Sequence, residues 1–214
     1  MAQEALLDFH LYTLDRKTDI LENQTKQVAL LQADNIASAK EYLLTGQDHY
    51  YRNRYGDLGT GIKVAVYLSF QNKKTENLGL PLPKGIVRVY KQDSSGSVQF
   101  VGEDRIDHTP ENETVKLKLG NAFDITADRK QTDFKKLAGF GEYNYVFESA
   151  YRIELKNGKD EEVEVRVVEP MPGDWEILSE NQAHKKISSS EAEWLVRVPA
   201  KGSAALVYRA KVRF

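Results

Sequence analysis

Apolar and polar residues alternate with a period of two through most of this chain, and that alternation limits the folds open to it. Residues 61–70 place one apolar set on a single side of an extended strand: Ile62, Val64, Val66 and Leu68. Residues 115–120 repeat the pattern, with lysines between the apolar positions. Because successive side chains of a strand point to opposite faces of a sheet, the chain is predicted to be mostly β.

The same reasoning predicts strands along the rest of the chain, at residues 6–14, 26–32, 85–92, 97–106, 121–137, 142–157, 161–171, 174–180, 193–200 and 203–214. Residues 35–46 contain good helix formers but lack an apolar stripe longer than two turns, so little helix is expected. Short strands separated by turn signals at roughly ten-residue spacing are typical of β-sandwiches. The predicted fold class is therefore all-β, one or two antiparallel β-sandwiches of immunoglobulin-like character.

Three turns are predicted from their residues. Gly96 in DSSG can take the positive φ that a tight turn needs, so residues 85–92 and 97–106 should form a hairpin. Asn157-Gly158 is the dipeptide best suited to two positive φ angles and predicts a second hairpin turn. Residues 199–203 are interpreted as a third.

A length of 214 residues permits one large β domain or two small ones. We place a soft boundary near residue 121, which gives an N-terminal sandwich half, 1–120, and a C-terminal immunoglobulin-like half, 121–214. No linker rich in Pro, Ser or Gly marks that position, so a single elongated domain, 1–214, is the alternative.

Charge and composition exclude several function classes. Lys and Arg number 30 against 32 for Asp and Glu, so the net charge of -2 argues against nucleic-acid binding. The absence of cysteine excludes disulfides, thiolate metal sites and a cysteine nucleophile. No apolar run approaches the ~20 residues that span a bilayer, and GDLGTG (56–61) precedes a strand rather than a helix, unlike a phosphate-binding loop. No cofactor is expected, and the oligomeric state is left open.

Acidic residues crowd residues 102–124, where Asp104, Asp107, His108 and Asp124 offer oxygen and nitrogen donors. Their spacing matches no known metal cage, and the neighbouring Glu103 and Asp104 point to opposite faces of a strand. We interpret the segment as a polar sheet end in water. The alternative is a carboxylate-dependent hydrolase directed at glycans, which needs two acids about 5 to 10 Å apart, such as Asp104 with Asp107 or Asp124.

The irregular segment 46–61 holds the best binding candidates, Tyr50, Tyr51, Arg52, Arg54 and Tyr55. Exposed tyrosine and arginine carry recognition surfaces at low entropic cost, so this segment is a candidate surface for protein or glycan. The alternative is that one or two tyrosines plug the end of a sandwich while the arginines are ordinary surface charges. Trp175 and Trp194 alternate with apolar neighbours and are predicted to lie in the core.

Several motifs resemble one known family. Residues 22–30 (ENQTKQVAL), 82–134 and 163–178, with EDRIDHTP, KLGNAFD and EPMPGDW in that order, are similar to the bacterial domain of unknown function 4139, part of which is labelled mucoidy-inhibitor-like. The resemblance implies a β-rich, periplasmic or otherwise extracytoplasmic protein with no established catalytic activity. It also implies that this chain is a fragment, lacking an export signal and an N-terminal coiled-coil region.

The leading hypothesis is thus a non-enzymatic envelope module that acts in binding or structural support. A spacer that presents the missing coiled coil is a third possibility, beside the hydrolase.

Overall fold

The computed structural model describes residues 2–7, 9–13, 17–139, 141 and 143–214. Its strands, in chain order, are β1 Ala2–Leu6, β2 Phe9–Thr13, β3 Ser38–Thr45, β4 Asp57–Gln71, β5 Gly85–Gln92, β6 Val98–Ile106, β7 Thr114–Leu137, β8 Val146–Asn157, β9 Val163–Pro170, β10 Asp174–Glu180, β11 Lys185–Ser188, β12 Glu191–Val198 and β13 Gly202–Arg213. The helical segments in these ranges are two short 3-10 turns, Asp48–Tyr51 and Lys74–Glu76. The prediction of an all-β fold with little helix is confirmed.

Nine of the strands form one large sheet in the order β10-β13-β8-β7-β4-β3-β9-β12-β11. Every pairing in it is antiparallel except β3 with β9, which is parallel. The sheet folds back on itself, since the ring of Trp194 on β12 stacks on that of Tyr208 on β13 with centroids 4.7 Å apart. The result is a two-layered sandwich, with β8 and β13 facing β9 and β12 across the core.

The main core lies between those layers and follows the period of two. On β9, Val163, Val165 and Val167 are buried, and β8 and β12 alternate in the same way. Trp194 is fully buried and Trp175 is 7% exposed, so both tryptophans lie in the core as predicted. Burial of these alternating side chains provides the main driving force for the fold.

β7 is the longest strand, at 24 residues, and runs past residue 121 without a break. It pairs with β4 from Thr114 to Lys130 and with β8 from Ile125 to Leu137, so both neighbours flank residues 125–130. The segments 115–120 and 121–137, predicted as separate strands, are therefore one strand. The division of the chain into two domains at this point stays a prediction.

The prediction of a strand at residues 26–32 is wrong. Val28, Leu30 and Leu31 are partly buried, yet these residues form no ladder with another strand in the described part of the chain. Leu31 packs in a second, smaller core beneath the β5–β6 hairpin. An alternation of apolar residues predicts which side chains face a core. It does not require that the backbone pair with another strand.

Residues 35–46, considered for a helix, contain β3. Tyr42 and Leu44 are buried at a spacing of two, and β3 lies between β4 and β9 in the sheet. Helix propensity is a weak preference that tertiary pairing overrides here.

The predicted turns have different outcomes. Gly96 has φ 84° and joins β5 to β6 in an antiparallel hairpin, as predicted. Asn157-Gly158 and residues 199–203 are connections between strands that do not pair, so the prediction of hairpins there is wrong. The buried Asn157 side chain donates to the carbonyls of Glu161, Val198 and Pro199 and thereby ties the two connections together.

Candidate functional site

The tyrosine- and arginine-containing segment forms the connection between β3 and β4, residues 46–56, which we call the Tyr-Arg loop. The structure divides its predicted binding residues into two groups. Tyr51 is fully buried, Tyr50 and Tyr55 are half-buried, and Arg52 and Arg54 are exposed. Tyr51 is therefore a plug in the end of the sandwich, while the two arginines lie on the surface beside it.

The hydroxyl of Tyr51 is held inside the core by two partners. It donates to Glu169 Oε2 at 3.2 Å and accepts from the Tyr208 hydroxyl at 2.8 Å. The ring of Tyr151 lies between these tyrosines, with its centroid 5.2 Å from each. Contacts of these tyrosines with β8, β9 and β13 thus anchor the loop in the core.

A buried ion pair lies at the same point. Arg129 Nη1 donates to Glu169 Oε1 at 2.5 Å, and the two side chains are 1% and 0% exposed. Burial alone would lower the pKa of the Arg129 guanidinium, but the adjacent Glu169 carboxylate raises it above its usual value. Among the described residues, Arg129 Nη2 has no hydrogen-bond partner, and the guanidinium lies 5.3 Å from the centroid of the Tyr50 ring.

Sequence reasoning missed this pair, although the signal was present. On β7, Ile125 and Ala127 face the core, so the alternation places Arg129 on the same inward face. On β9, Val165 and Val167 likewise place Glu169 inward. A charged residue at an inward-facing position of a strand needs a buried partner of opposite charge. The two strands each have one such residue, so the sequence predicts that these two residues pair.

The backbone of the loop is held by core side chains as well. Gln131 Nε2 donates to the carbonyls of Tyr50 and Asn53, and its Oε1 accepts from the Tyr55 amide at 2.6 Å. The Tyr151 hydroxyl donates to the Tyr50 carbonyl at 2.7 Å. Four hydrogen bonds from two buried side chains therefore fix the path of the loop.

Gly46 has no side chain, and the Arg129–Glu169 ion pair occupies the space that a side chain there would fill. A Cβ at this position would overlap the Glu169 carboxylate and lie 2.9 Å from Arg129 Nη1. We expect Gly46→Ala to lower the free energy of unfolding by about 1 to 3 kcal/mol, as overpacking of a core does. Gly56→Ala is the matched control in the same loop, because a Cβ there meets no atom of the described residues within 4 Å. Equal stability of the two variants in urea unfolding would contradict the packing argument.

The buried tyrosines predict a loss of stability in alkali. Burial raises the pKa of Tyr51 and Tyr208 well above the usual value, and raises that of Tyr151 to about 12. The unfolded chain loses these protons above about pH 10 while the folded chain keeps them, so the stabilisation is complete below that pH and falls above it.

Equilibrium unfolding at about pH 9 and pH 11 measures this effect. Tyr151→Phe should weaken the pH dependence, whereas Tyr90→Phe, at a 55% exposed ring, should not. If the free energy of unfolding does not decrease from about pH 9 to about pH 11, the burial of these tyrosine hydroxyls is contradicted.

Next to the Tyr-Arg loop, four aromatic side chains form a row: Phe134, Tyr145, Phe147 and Phe214. Phe147 stacks with Phe134 and with Tyr145, at centroid separations of 5.6 and 6.4 Å, and meets Phe214 edge-on at 6.1 Å. Phe147 shares its face of β8 with the core residues Tyr151 and Ile153. The row thus continues the core face of the sheet out to the end of the sandwich, where Tyr145 is 52% exposed.

Basic side chains border this row. The Arg52 guanidinium lies 4.9 Å from the centroid of Phe214, and Arg54 donates to the Phe134 carbonyl at 3.2 Å. The Lys136 ammonium lies 5.4 Å from the centroid of Tyr145. We call the surface made by Arg52, Arg54, Lys136 and the four aromatic residues the aromatic-cationic face. Its aromatic half was not identified from the sequence, because its members come from three separate segments.

Asp104 and Asp107, in the acidic segment 102–124, each contact different partners. Asp104 accepts from the backbone amides of Arg105 and Lys118, and Asp107 pairs with Lys84 at 2.8 Å, which lowers the Asp107 pKa. His108 Nδ1 accepts from the Lys84 amide, and Asp124 is exposed on β7.

Lys118 and Asp124 are six residues apart on β7, which corresponds to about 20 Å along a strand. The structure therefore does not bring Asp104 and Asp124 together. Within the described ranges, no three His, Asp or Glu side chains are grouped so as to hold a metal ion.

A separate groove of about 450 Å³ lies where β3 meets β9, lined by Glu41, Glu162, Arg166 and Leu195 among others. Two of its lining residues form an ion pair, Glu41 with Arg166 at 2.9 Å, and Glu41 also pairs with Lys116 at 2.6 Å. None of the binding residues predicted from the sequence lines it. In the part of the chain that the structure describes, no helix has the length and apolar character to cross a membrane.

Comparison with protein families identifies a match over nearly the whole chain. The model of the family described as "Domain of unknown function (DUF4139)" matches residues 10–214. No curated protein and no solved structure matches the chain.

Proposed function

The chain belongs to the DUF4139 family, and from this premise we propose that it is a non-enzymatic binding module of the bacterial cell envelope. In this proposal it works outside the cytoplasm and recognises its ligand through the aromatic-cationic face. The family is one of unknown function, so the proposal depends on the chemistry of that face.

The observation that carries the proposal is an aromatic row, half-exposed at Tyr145, beside a loop that the core holds in place. Exposed aromatic rings next to arginines are the usual anchors of recognition surfaces. Tyr145 offers a half-exposed ring, and Arg52 and Arg54 extend from a loop whose backbone Gln131 and Tyr151 fix. A surface held in its binding conformation loses little entropy when a ligand binds.

The contacts that Asp104 and Asp107 make favour a binding function over a hydrolase. A glycoside hydrolase needs two carboxyl groups on either side of one bond. Each carboxylate oxygen of Asp104 accepts from a backbone amide, and Asp107 pairs with Lys84 at the surface. We therefore propose no catalytic role for these side chains.

The proposal is tested by screening the chain against an array of polysaccharides and proteins isolated from bacterial envelopes. We expect a ligand whose affinity falls at least about tenfold, or ~1.4 kcal/mol, in Tyr145→Ala. The control is Tyr90→Ala, which removes a 55% exposed ring from the β5–β6 hairpin. Ligands that bind wild type, Tyr145→Ala and Tyr90→Ala equally would refute a role for the face. Release of reducing sugar ends that stops in Asp104→Asn would refute the non-enzymatic proposal.

A further inference from the structure

We infer that the ligand of the aromatic-cationic face is an anionic polysaccharide, a chain of sugar rings that carries carboxylate or phosphate groups. This inference rests on the proposed function and names the ligand class for the same face. It depends on two features: the arrangement of the rings and the charges around them.

The row holds the half-exposed ring of Tyr145 in one orientation, in which it can pack on a flat, weakly apolar group. The planes of Tyr145 and Phe147 are only 7° apart, and those of Phe147 and Phe134 are 25° apart. A pyranose ring presents a face of C–H groups that packs on an aromatic ring while its hydroxyls stay in water. The hydrogens of these C–H groups carry a partial positive charge, which the negative face of an aromatic ring attracts.

The charges around the row are positive and largely unpaired. Arg52 meets a carboxylate, Asp48, only at 3.9 Å. In the described ranges, neither Arg54 nor Lys136 has a carboxylate within 4 Å. Neighbouring basic residues on β13 are each held by an acid: Arg209 by Asp133, Lys211 by Glu148 and Arg213 by Asp174. Since the whole chain has a net charge of -2, this positive excess is local. Arginine forks match both carboxylates and phosphates.

The backbone groups of Tyr145, Phe147 and Phe214 are not available to an extended peptide. A peptide that adds to a sheet needs unpaired backbone groups. Tyr145 and Phe214 exchange backbone hydrogen bonds, and Phe147 pairs with strands on both sides. The Phe134 carbonyl already accepts from Arg54. These ring-bearing residues therefore offer their rings rather than backbone donors and acceptors. Beyond Gln131, β7 pairs with β8 alone among the described strands, so a peptide that adds to its other edge is an outcome of the test.

Isothermal calorimetry with two matched pairs of polymers tests the inference. One pair is polygalacturonate and its methyl ester, and the other is phosphorylated dextran and dextran. We expect at least one anionic polymer to bind about tenfold or more tightly than its neutral counterpart, with an affinity that falls as salt is added. The two pairs distinguish carboxylate from phosphate.

Variants assign the binding to this face. Tyr145→Ala should weaken binding of the preferred anionic polymer about tenfold, and Arg54→Gln should reduce its advantage over the neutral polymer. Tyr90→Ala should leave both unchanged. Thermal unfolding of each variant confirms that the fold is retained.

Equal binding of the charged and neutral polymers, or binding of neither anionic polymer, would overturn the inference. Tighter binding of a single-stranded oligonucleotide or of an acidic peptide would do the same. If another ligand from the envelope array still depends on Tyr145, the proposed function stands and only the ligand class is wrong. If no ligand depends on Tyr145, both fail.

Discussion

Replacing Glu169 with glutamine is expected to lower the free energy of unfolding by about 3 to 5 kcal/mol. The substitution keeps the shape of the side chain but removes the charge that compensates Arg129, which is 1% exposed. A buried guanidinium without its carboxylate bears the full cost of desolvation. The Tyr51 hydroxyl also loses a charged acceptor. Denaturant unfolding monitored by tryptophan fluorescence measures the change, since Trp194 lies in the same core.

Glu164→Gln is the matched control. Glu164 lies on the same strand, is 47% exposed and pairs with Arg197 at 3.4 Å, so its replacement should change the free energy by about 0.5 kcal/mol or less. The double variant Arg129→Met with Glu169→Leu should recover most of the loss, because apolar side chains of similar volume remove both charges together. Equal effects of Glu169→Gln and Glu164→Gln would show that Arg129 does not depend on Glu169.

Replacing Tyr51 with alanine is expected to cost about 3 to 5 kcal/mol, as for other large buried aromatic residues. The ring is fully buried and packs against Tyr151, and its hydroxyl links Glu169 to Tyr208. Because this ring anchors the Tyr-Arg loop, the same variant should also lose the binding that depends on Arg52 and Arg54. Tyr51→Phe keeps the ring and should cost only about 1 to 3 kcal/mol.

The control lies in the same 3-10 turn. Asp48 is 61% exposed and lies 3.9 Å from Arg52, so Asp48→Ala should change the free energy of unfolding by about 0.5 kcal/mol or less. Chemical unfolding gives the stability, and calorimetry with the ligand of the wild type gives the binding. A Tyr51→Ala variant as stable as Asp48→Ala would contradict the role of Tyr51 as a plug.

The candidate site was predicted only in part. The residue types of the Tyr-Arg loop identified it as a distinctive segment. The alternative of a tyrosine plug is confirmed for Tyr51, and recognition by the other residues stays a prediction. Tyr51 fills the end of the sandwich, while Tyr50 and Tyr55 remain half-buried beside exposed arginines. Which tyrosine would be buried depends on Tyr208, 157 residues away, and no local pattern contains that information.

The local features of this protein follow from its residues alone: most of its strands, the Gly96 turn, its tryptophan core and its family. Each depends on neighbouring residues, through the period of two, the φ angle of one glycine or a run of motif residues. Contacts between distant segments set which strands pair, that β3 lies parallel to β9, and that residues 26–32 pack without pairing to any described strand. They also decide that Arg129 meets Glu169 and that three segments supply one aromatic row. The physical reason is that pairing and burial depend on contacts between residues far apart in the chain, whereas alternation specifies only which face of a strand is apolar.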